Sequence, residues 1–170
     1  NRMKNIRIEK ITLNIGAGKD QPRLEKGIIL LSMIANSTPI KTVTNKRVQE
    51  WGLRPGLPIG CKLTLRKEKA TKLLSRLLEA VDNRLSNNQF DENGNIAFGI
   101  PEYMEIPGVK YDPKIGIMGL QVCITLERPG YRIKKRKLLA RKIPTRHRIS
   151  KQEAIIFMSK NFSTQVEEEQ

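Results

Sequence analysis

The chain has 170 residues, 38% of them hydrophobic, with a formal net charge of +15 and a pI of about 10.1. This composition suits one folded domain, and the sign of the charge points to a polyanionic partner such as a nucleic acid. No run approaches the roughly 20 apolar residues of a membrane-spanning helix, and residues 1–10 lack a signal-peptide core, so we expect a cytoplasmic protein.

The first part of the chain predicts a strand, a helix and two more strands. Apolar residues alternate from Ile6 to Ile15, with a phase change near Glu9 that suggests a bulge. Asp20 is a suitable N-cap for a helix to about Asn36, with an apolar stripe at Leu24, Ile28, Leu31 and Ala35. Strands are predicted at 40–44 and 59–66, and the loop 46–58 between them is expected to project.

The second part predicts a long amphipathic helix, two strands and a closing helix. The helix runs from Lys67 to Leu85, and the two strands are Ile96 to Phe98 and Leu120 to Leu126. Residues 91–95 form a turn, and the Gly- and Pro-rich stretch 99–119 forms a long loop. Ser150 and Glu153 make a capping box that starts a short helix, followed by the polar tail 166–170.

This order of elements predicts an α+β fold. We expect a mainly antiparallel sheet with helices packed on one face, ferredoxin-like or a related sandwich, plus a basic C-terminal extension. The predicted organisation is a single RNA-binding domain at 1–128, which includes the loops 46–58 and 99–119. A basic extension at 129–149 follows, and then the helix and polar tail at 150–170.

The segment from Arg128 to Arg148 carries ten Lys or Arg in 21 residues. Such crowding favours binding to a phosphate backbone. The alternative is a solvated, disordered tail, but apolar residues are interleaved with the charges and a helix follows. The candidate RNA contacts in this segment are Arg132, Lys134, Lys135, Arg136, Lys137, Arg141, Lys142, Arg146, His147 and Arg148.

The sheet face opposite the helices is a second candidate RNA surface. Strand alternation turns Thr12 and Asn14 outward, together with Lys62, Thr64 and Arg66. The competing interpretation is that solvent-facing strand positions are polar in any case. None of these positions is aromatic, so the face fits the phosphates and ribose of folded RNA better than stacked, unpaired bases.

Enzymatic and metal sites have weaker support. The segment NIGAGKD, 14–20, lacks the first glycine and the Ser or Thr of a P-loop, and DENGN, 91–95, lacks the remaining ligands of a calcium loop. Cys61 and Cys123 form no C-x-x-C pair, so we expect reduced thiols, and the sequence alone leaves a disulfide open. We expect no cofactor and no metal. An RNA-processing or nucleotide-dependent enzyme remains the alternative function.

Four segments give the chain a resemblance to a known family. RIEKITLNIGAG, PIGCKLTLR, FDENGNIAFGI and GVKYDPKIGIMGLQVCITLERPGYR resemble the universal L-five (L5) family of large-subunit ribosomal proteins in its archaeal form, from about residue 3 to 162. The resemblance implies a non-enzymatic protein of the central protuberance that binds 5S ribosomal RNA and touches peptidyl-site transfer RNA. Its 5S contacts would correspond to Asn14, Thr64 and Arg66, with Thr12 and Lys62 beside them.

The resemblance also assigns roles to three other regions. The loop that reaches transfer RNA corresponds to Val48, Gln49, Trp51, Gly52, Arg54 and Gly56. Before Pro39 the family often has Gly-Gln-Lys or Gly-Gln-Thr, whereas this chain has Asn36, Ser37 and Thr38, so Ser37 is the candidate 5S contact there. The extension resembles the archaeal and eukaryotic branch, where it would bind large-subunit ribosomal RNA or a neighbouring ribosomal protein.

Overall fold

The computed structural model describes residues 2–167 and confirms an α+β fold with helices packed against a five-stranded antiparallel sheet. The sheet has the strand order β2-β3-β1-β6-β5, and a separate parallel pair joins β4 to β7. The strands are β1 (Arg7–Gly16), β2 (Ile40–Val43), β3 (Pro58–Leu65), β4 (Arg84–Ser86), β5 (Ile96–Ile100), β6 (Leu120–Glu127) and β7 (Gln165–Glu167). The helices are α1 (Gln21–Ala35), α2 (Lys67–Glu79), α3 (Arg132–Lys135) and α4 (Lys151–Phe162), with short 3₁₀ turns between several elements.

Helix α1 starts and ends where its sequence predicts, but its buried stripe is rotated. The Asp20 carboxylate accepts a hydrogen bond from the Arg23 amide at 3.2 Å, and Asn36 ends the helix with a left-handed φ of 47°. The buried positions are Leu24, Gly27, Leu30, Leu31 and Ile34, whereas Ile28 and Ala35 are only half-buried. The glycine is buried because it faces β3 closely: a Cβ there would lie 3.1 Å from the Cys61 sulfur.

Helix α2 is shorter than predicted. It ends at Glu79, and Leu85 lies in strand β4 instead of continuing the helix. Asp82 and Asn83 both adopt positive φ, 54° and 55°, which reverses the chain direction. Leu85 is buried in strand β4. Its spacing from the apolar residues of α2 therefore resembled a continued helix, although the helix ends six residues earlier.

The polar tail is also partly structured. Val166 and Glu167 were predicted to be tail residues, but they belong to β7, which pairs with β4 in parallel from Arg84↔Gln165 to Ser86↔Glu167. The pairing partner is some 80 residues away in sequence, so local pattern could not indicate it. Residues 1 and 168–170, which the predicted domain and tail boundaries include, lie outside the described residues.

The described chain divides into two compact units. The first contains the residues up to 11, 66–97 and those from 124 onward, and its core includes Leu74, Leu77, Leu126 and Met158. The second contains Thr12–Leu65 and Phe98–Cys123, with a core that includes Leu13, Leu31, Leu63 and Tyr103. The predicted boundaries at 128 and 149 stay predictions.

Candidate nucleic-acid interface

Polar side chains line the outward side of β1 and β3 in the second unit. Ile15 and Cys61 lie side by side beneath Gly27 of α1, where a Cβ would be 3.3 and 3.1 Å from them, and both are buried. Because alternate strand residues point to opposite faces, their neighbours Asn14 and Lys62 face away from the helix. Thr12 and Asn14 are half-buried, and Lys62 and Thr64 are exposed. These four side chains therefore point outward in the structure, as strand alternation predicts.

Gln121 extends this strip onto β6. The Asn14 amide donates a hydrogen bond to the Gln121 side-chain oxygen at 3.3 Å, and Gln121 is exposed. We name the five residues Thr12, Asn14, Lys62, Thr64 and Gln121 the polar strip. It offers hydroxyls, amides and one ammonium, which are groups that bind phosphate oxygens and ribose hydroxyls. Sequence reasoning missed Gln121, although its alternation with the buried Leu120 and Val122 indicated an outward position.

Arg66 belongs to the first unit, where it faces an acidic residue. Its guanidinium lies 3.4 Å from the carboxylate of Glu9, and its side chain is still 55% exposed. Glu9, whose side chain is 9% exposed, also binds Lys135 at 2.5 Å. Burial raises the pKa of Glu9, but the hydrogen bond and charge of Lys135, with Arg66 and Lys10, outweigh it and hold that pKa below its ordinary value.

Lys135 connects the basic extension to two strands. Besides Glu9 of β1 it lies 3.5 Å from Glu127 of β6, and Arg7 pairs with the same Glu127 at 2.8 Å. The sheet face opposite the helices was predicted to be open for RNA. In this unit, Lys135 instead holds the extension against Glu9 and Glu127. Sequence alternation did not reveal the contact with Glu9 because it joins residues more than 100 positions apart.

Ser37 follows the end of α1 and is half-buried. Its hydroxyl donates to the Ala35 carbonyl at 3.2 Å, so one of its two hydrogen-bonding functions is already used. The hydroxyl oxygen can still accept a hydrogen bond. Ser37 therefore remains a predicted contact with a smaller capacity than the glutamine that the family often has there.

The loop 46–58 is an ordered hairpin. Val48 and Leu53 exchange two backbone hydrogen bonds of 3.2 and 2.9 Å, and Gly52 closes the tip with a positive φ of 65°. Thr44 fixes the base, because its amide donates to the Leu57 carbonyl at 3.0 Å. Trp51, at the tip, is 67% exposed, although tryptophan is a residue type that is often largely buried. The tip and flanks present the exposed residues Gln49, Trp51, Gly52, Arg54 and Gly56, with Val48 half-buried.

The extension 129–149 is anchored by a buried arginine. Arg128 is 5% exposed, and its guanidinium donates to the carboxylate of Glu153 at 2.6 Å and to the Arg148 carbonyl at 3.1 Å. Glu153 also accepts from the Ser150 amide at 3.0 Å, which confirms the predicted capping box of α4. The amide hydrogen bond and Arg128 outweigh burial and lower the pKa of Glu153.

Some candidate RNA contacts of the extension already form hydrogen bonds within the protein, and others do not. The His147 ring hydrogen-bonds to the Pro129 carbonyl at 2.8 Å, and Tyr131 donates to the His147 carbonyl at 3.2 Å. Arg136 and Arg148 donate to backbone carbonyls of the extension itself. Within residues 2–167, no ion pair or side-chain hydrogen bond involves the exposed residues Arg132, Lys134, Lys137, Arg141, Lys142 and Arg146.

Neither a metal-ligand cluster nor a disulfide is present in the described part of the chain. Across residues 2–167, no three His, Cys, Asp or Glu side chains converge to hold a metal ion. Cys61 and Cys123 are both free thiols, and burial raises the pKa of Cys61. Among these same residues, no helix has the length and apolar character required to cross a membrane.

Comparisons with known proteins place the chain in a family. Residues 1–54 match the family described as ribosomal protein L5, and residues 58–157 match the model of the C-terminus of the same ribosomal family. The large ribosomal subunit protein uL5 of Nanoarchaeum equitans is 47% identical over 165 residues, covering 96% of this chain and 97% of the relative. The proteins of the same name from Methanobrevibacter smithii and Sulfurisphaera tokodaii are each 45% identical, covering 96% and 99% of this chain and 96% of each relative. These matches confirm the resemblance seen in the sequence, and the chain belongs to the ribosomal protein L5 family.

Proposed function

We propose that this protein is a structural constituent of the large ribosomal subunit, not an enzyme, and that it works in the cytoplasmic ribosome. In this role it binds 5S ribosomal RNA, anchors it in the central protuberance and contacts peptidyl-site transfer RNA. The single observation that carries the proposal is the near full-length similarity to large ribosomal subunit proteins. Large-subunit ribosomal RNA and neighbouring ribosomal proteins are its further partners.

The polar strip supports the assignment of 5S ribosomal RNA to the sheet. Asn14, Lys62 and Thr64 are accessible on adjoining strands, and this orientation follows from the burial of their neighbours and not from the resemblance. Their amide, ammonium and hydroxyl groups suit phosphate and ribose, and they include no aromatic platform for unpaired bases. A folded RNA with a regular backbone fits this surface.

The hairpin tip supports a second, separate contact. Trp51 and Arg54 are exposed on a loop that its own backbone hydrogen bonds hold in shape. An exposed indole on the same loop as an exposed guanidinium can pack on a ribose or base surface while the cation binds phosphate. Because the tip is built independently of the polar strip, the two contacts can be tested one at a time.

The experiment is a capture assay with the purified full-length protein. Immobilised protein is incubated with total ribosomal and transfer RNA of an archaeal relative, and the retained RNA is sequenced. We expect strong enrichment of 5S ribosomal RNA. The variant Trp51→Ala/Arg54→Ala should retain 5S ribosomal RNA at the wild-type level, because neither residue is in the polar strip. In reconstituted subunits, the same variant should lower cross-linking to peptidyl-site transfer RNA.

Two results would contradict these roles. If 5S ribosomal RNA is no more enriched than other RNAs of similar size, the proposed principal function is wrong. If the Trp51→Ala/Arg54→Ala variant loses 5S binding but keeps the transfer-RNA cross-link, the roles assigned to the two surfaces are wrong.

A further inference from the structure

A cavity of about 720 Å³ lies in the first compact unit, and no residue of the polar strip or the hairpin tip lines it. Its walls come from β1, β6, the 91–95 turn and the basic extension. The volume falls within the roughly 300 to 1,000 Å³ of pockets that hold small ligands. There is room for one nucleotide, but not for a double helix.

The wall supplied by the extension is held in place by its own hydrogen bonds. The Arg141 amide donates to the Ile133 carbonyl at 3.1 Å, so the extension doubles back on itself. Arg148 donates to the Ile143 carbonyl at 3.2 Å, and Ile143 is buried. Lys135 bridges Glu9 and Glu127, which fixes the start of the extension to the strands. The cavity is therefore formed before any ligand arrives.

The lining is strongly cationic. Among the described residues, six with Lys or Arg side chains and one with a carboxylate line the space. The carboxylate, Glu9, is already neutralised by Lys135 and Arg66. Lys134, Arg141 and Lys142 have no ion-pair partner among the described residues, so their charge is available to a ligand. This arrangement favours an anionic group such as the phosphodiester of a nucleotide in RNA.

The 91–95 turn adds hydrogen-bond acceptors to the same space. The side-chain amides of Asn93 and Asn95 both donate to the Asp91 carboxylate, at 3.4 and 3.1 Å. These bonds use the NH₂ ends, so the amide oxygens of these two lining residues keep their capacity to accept a hydrogen bond. Gly94 lies close to the buried Ile149, because a Cβ added at Gly94 would be 2.6 Å from the Ile149 side chain.

We propose that this cavity binds a single unpaired nucleotide that is turned out of an RNA helix. Its phosphate lies on Lys134, Arg141 and Lys142, and an exocyclic amino group of its base donates to the oxygen of Asn93 or Asn95. Ala140 and Ile143 supply the apolar surface for the base. The inference rests on the proposed function in that the ligand is part of an RNA. It predicts a preference for adenine, cytosine or guanine over uracil, which has no amino group.

The lining favours RNA over an acidic peptide. The acidic side chains of a peptide offer only hydrogen-bond acceptors, and a cavity lined by cations alone would be enough to bind them. This cavity combines cations with two amide oxygens and an apolar floor, which match the phosphate, the amino group and the face of a nucleotide.

The test uses the full-length protein and three RNA hairpins of the same length. One contains a single bulged adenosine, one a bulged uridine, and one is fully paired; binding is measured by fluorescence anisotropy. We expect the wild-type protein to bind the adenosine bulge roughly tenfold more tightly than the paired hairpin, in line with a stacked base and one hydrogen bond. The uridine bulge should fall between the other two.

Matched variants separate the cavity from general charge. Arg141→Gln/Lys142→Gln should abolish the preference for the bulge. Lys69→Gln/Lys72→Gln removes the same charge from exposed positions of α2, and it should keep the preference while weakening all three hairpins alike. Asn93→Ala/Asn95→Ala should remove the distinction between adenosine and uridine and leave the preference for a bulge over a paired helix.

Three outcomes would overturn the inference. The first is equal wild-type affinity for all three hairpins, and the second is a bulge preference that survives Arg141→Gln/Lys142→Gln. The third is displacement of the adenosine bulge by a glutamate-rich peptide but not by adenosine monophosphate, which would indicate a protein ligand. In each case the capture of 5S ribosomal RNA is measured in parallel. If the wild-type protein captures 5S ribosomal RNA normally, only the inference about the cavity is wrong. If it does not capture 5S ribosomal RNA, the proposed function is wrong.

Discussion

The ion pair between Arg128 and Glu153 should be a measurable part of the stability of this fold. Arg128 is 5% exposed, and one of its nitrogens, Nε, has no hydrogen-bond partner within the described residues. The buried positive charge is therefore stabilised by Glu153 and by the carbonyls of His147 and Arg148. Replacing Glu153 with Gln leaves a side-chain oxygen that can still accept the Ser150 amide, so the helix cap survives while the charge is lost.

The expected loss in unfolding free energy is about 2 kcal/mol. A hydrogen bond to a charged group contributes roughly 1.5 to 3 kcal/mol, and stranding a fully buried partner would cost about 3 to 5 kcal/mol. The Glu153 side chain is 43% exposed, so water screens the pair and the lower figure applies. Glu153→Ala also removes the cap and should cost about 1 kcal/mol more.

Urea unfolding at pH 7, followed by circular dichroism, measures these differences directly. Glu105→Gln is the matched control, because Glu105 is exposed and forms no ion pair in the described chain. Its effect should stay within about 0.5 kcal/mol. If Glu153→Gln unfolds with the same free energy as the control, then the backbone carbonyls alone hold Arg128, and the ion pair is not the anchor of the extension.

Two more stability predictions follow from the described contacts. The lowered pKa of Glu9 means that its ionised form contributes stability that is present above its ordinary pKa of 4.5 and is lost as the pH falls through the lower folded value. Glu9→Gln should therefore reduce the difference in unfolding free energy between pH 7 and pH 3; an unchanged difference would contradict the assignment. Gly94 and Gly116 share a φ of +74°, but a Cβ at Gly94 would lie 2.6 Å from Ile149, whereas Gly116 has nothing within 4 Å. Gly116→Ala should cost about 1 to 2 kcal/mol from backbone strain alone, and Gly94→Ala at least about 1 kcal/mol more in the same urea assay. Equal losses would show that the 91–95 turn is free to move.

Local patterns predicted the elements whose cause is local. Asp20 and Ser150 mark helix starts because a side-chain oxygen accepts a nearby backbone amide, and both caps are present. Leu85 was assigned to a helix because apolar spacing continues across a chain reversal at Asp82 and Asn83. The residue types of that reversal, Asp followed by Asn, tolerate positive φ and were the available signal.

In the candidate site, too, features with a local cause were predictable from the sequence and contacts between distant residues were not. Alternation alone oriented Asn14 and Lys62 correctly, because burial of one strand face fixes the direction of the other. The pairing of Lys135 with Glu9 and Glu127 was not predictable, since it depends on the path of the extension in three dimensions. His147 was predicted as an RNA contact, and the structure engages its ring with the Pro129 carbonyl, a bond no neighbouring residue indicates.

The most direct test of the central claim is the salt dependence of 5S ribosomal RNA binding. A complex that neutralises about 6 to 10 phosphates should lose affinity with a log-log slope on the order of −4 to −9. Asn14→Ala/Lys62→Gln/Thr64→Ala should weaken binding and make the slope less steep by about 0.7 to 0.9, for one lost cation. A salt-independent affinity, or a triple variant that binds 5S ribosomal RNA as tightly as the wild type, would contradict the assignment of this RNA to the polar strip.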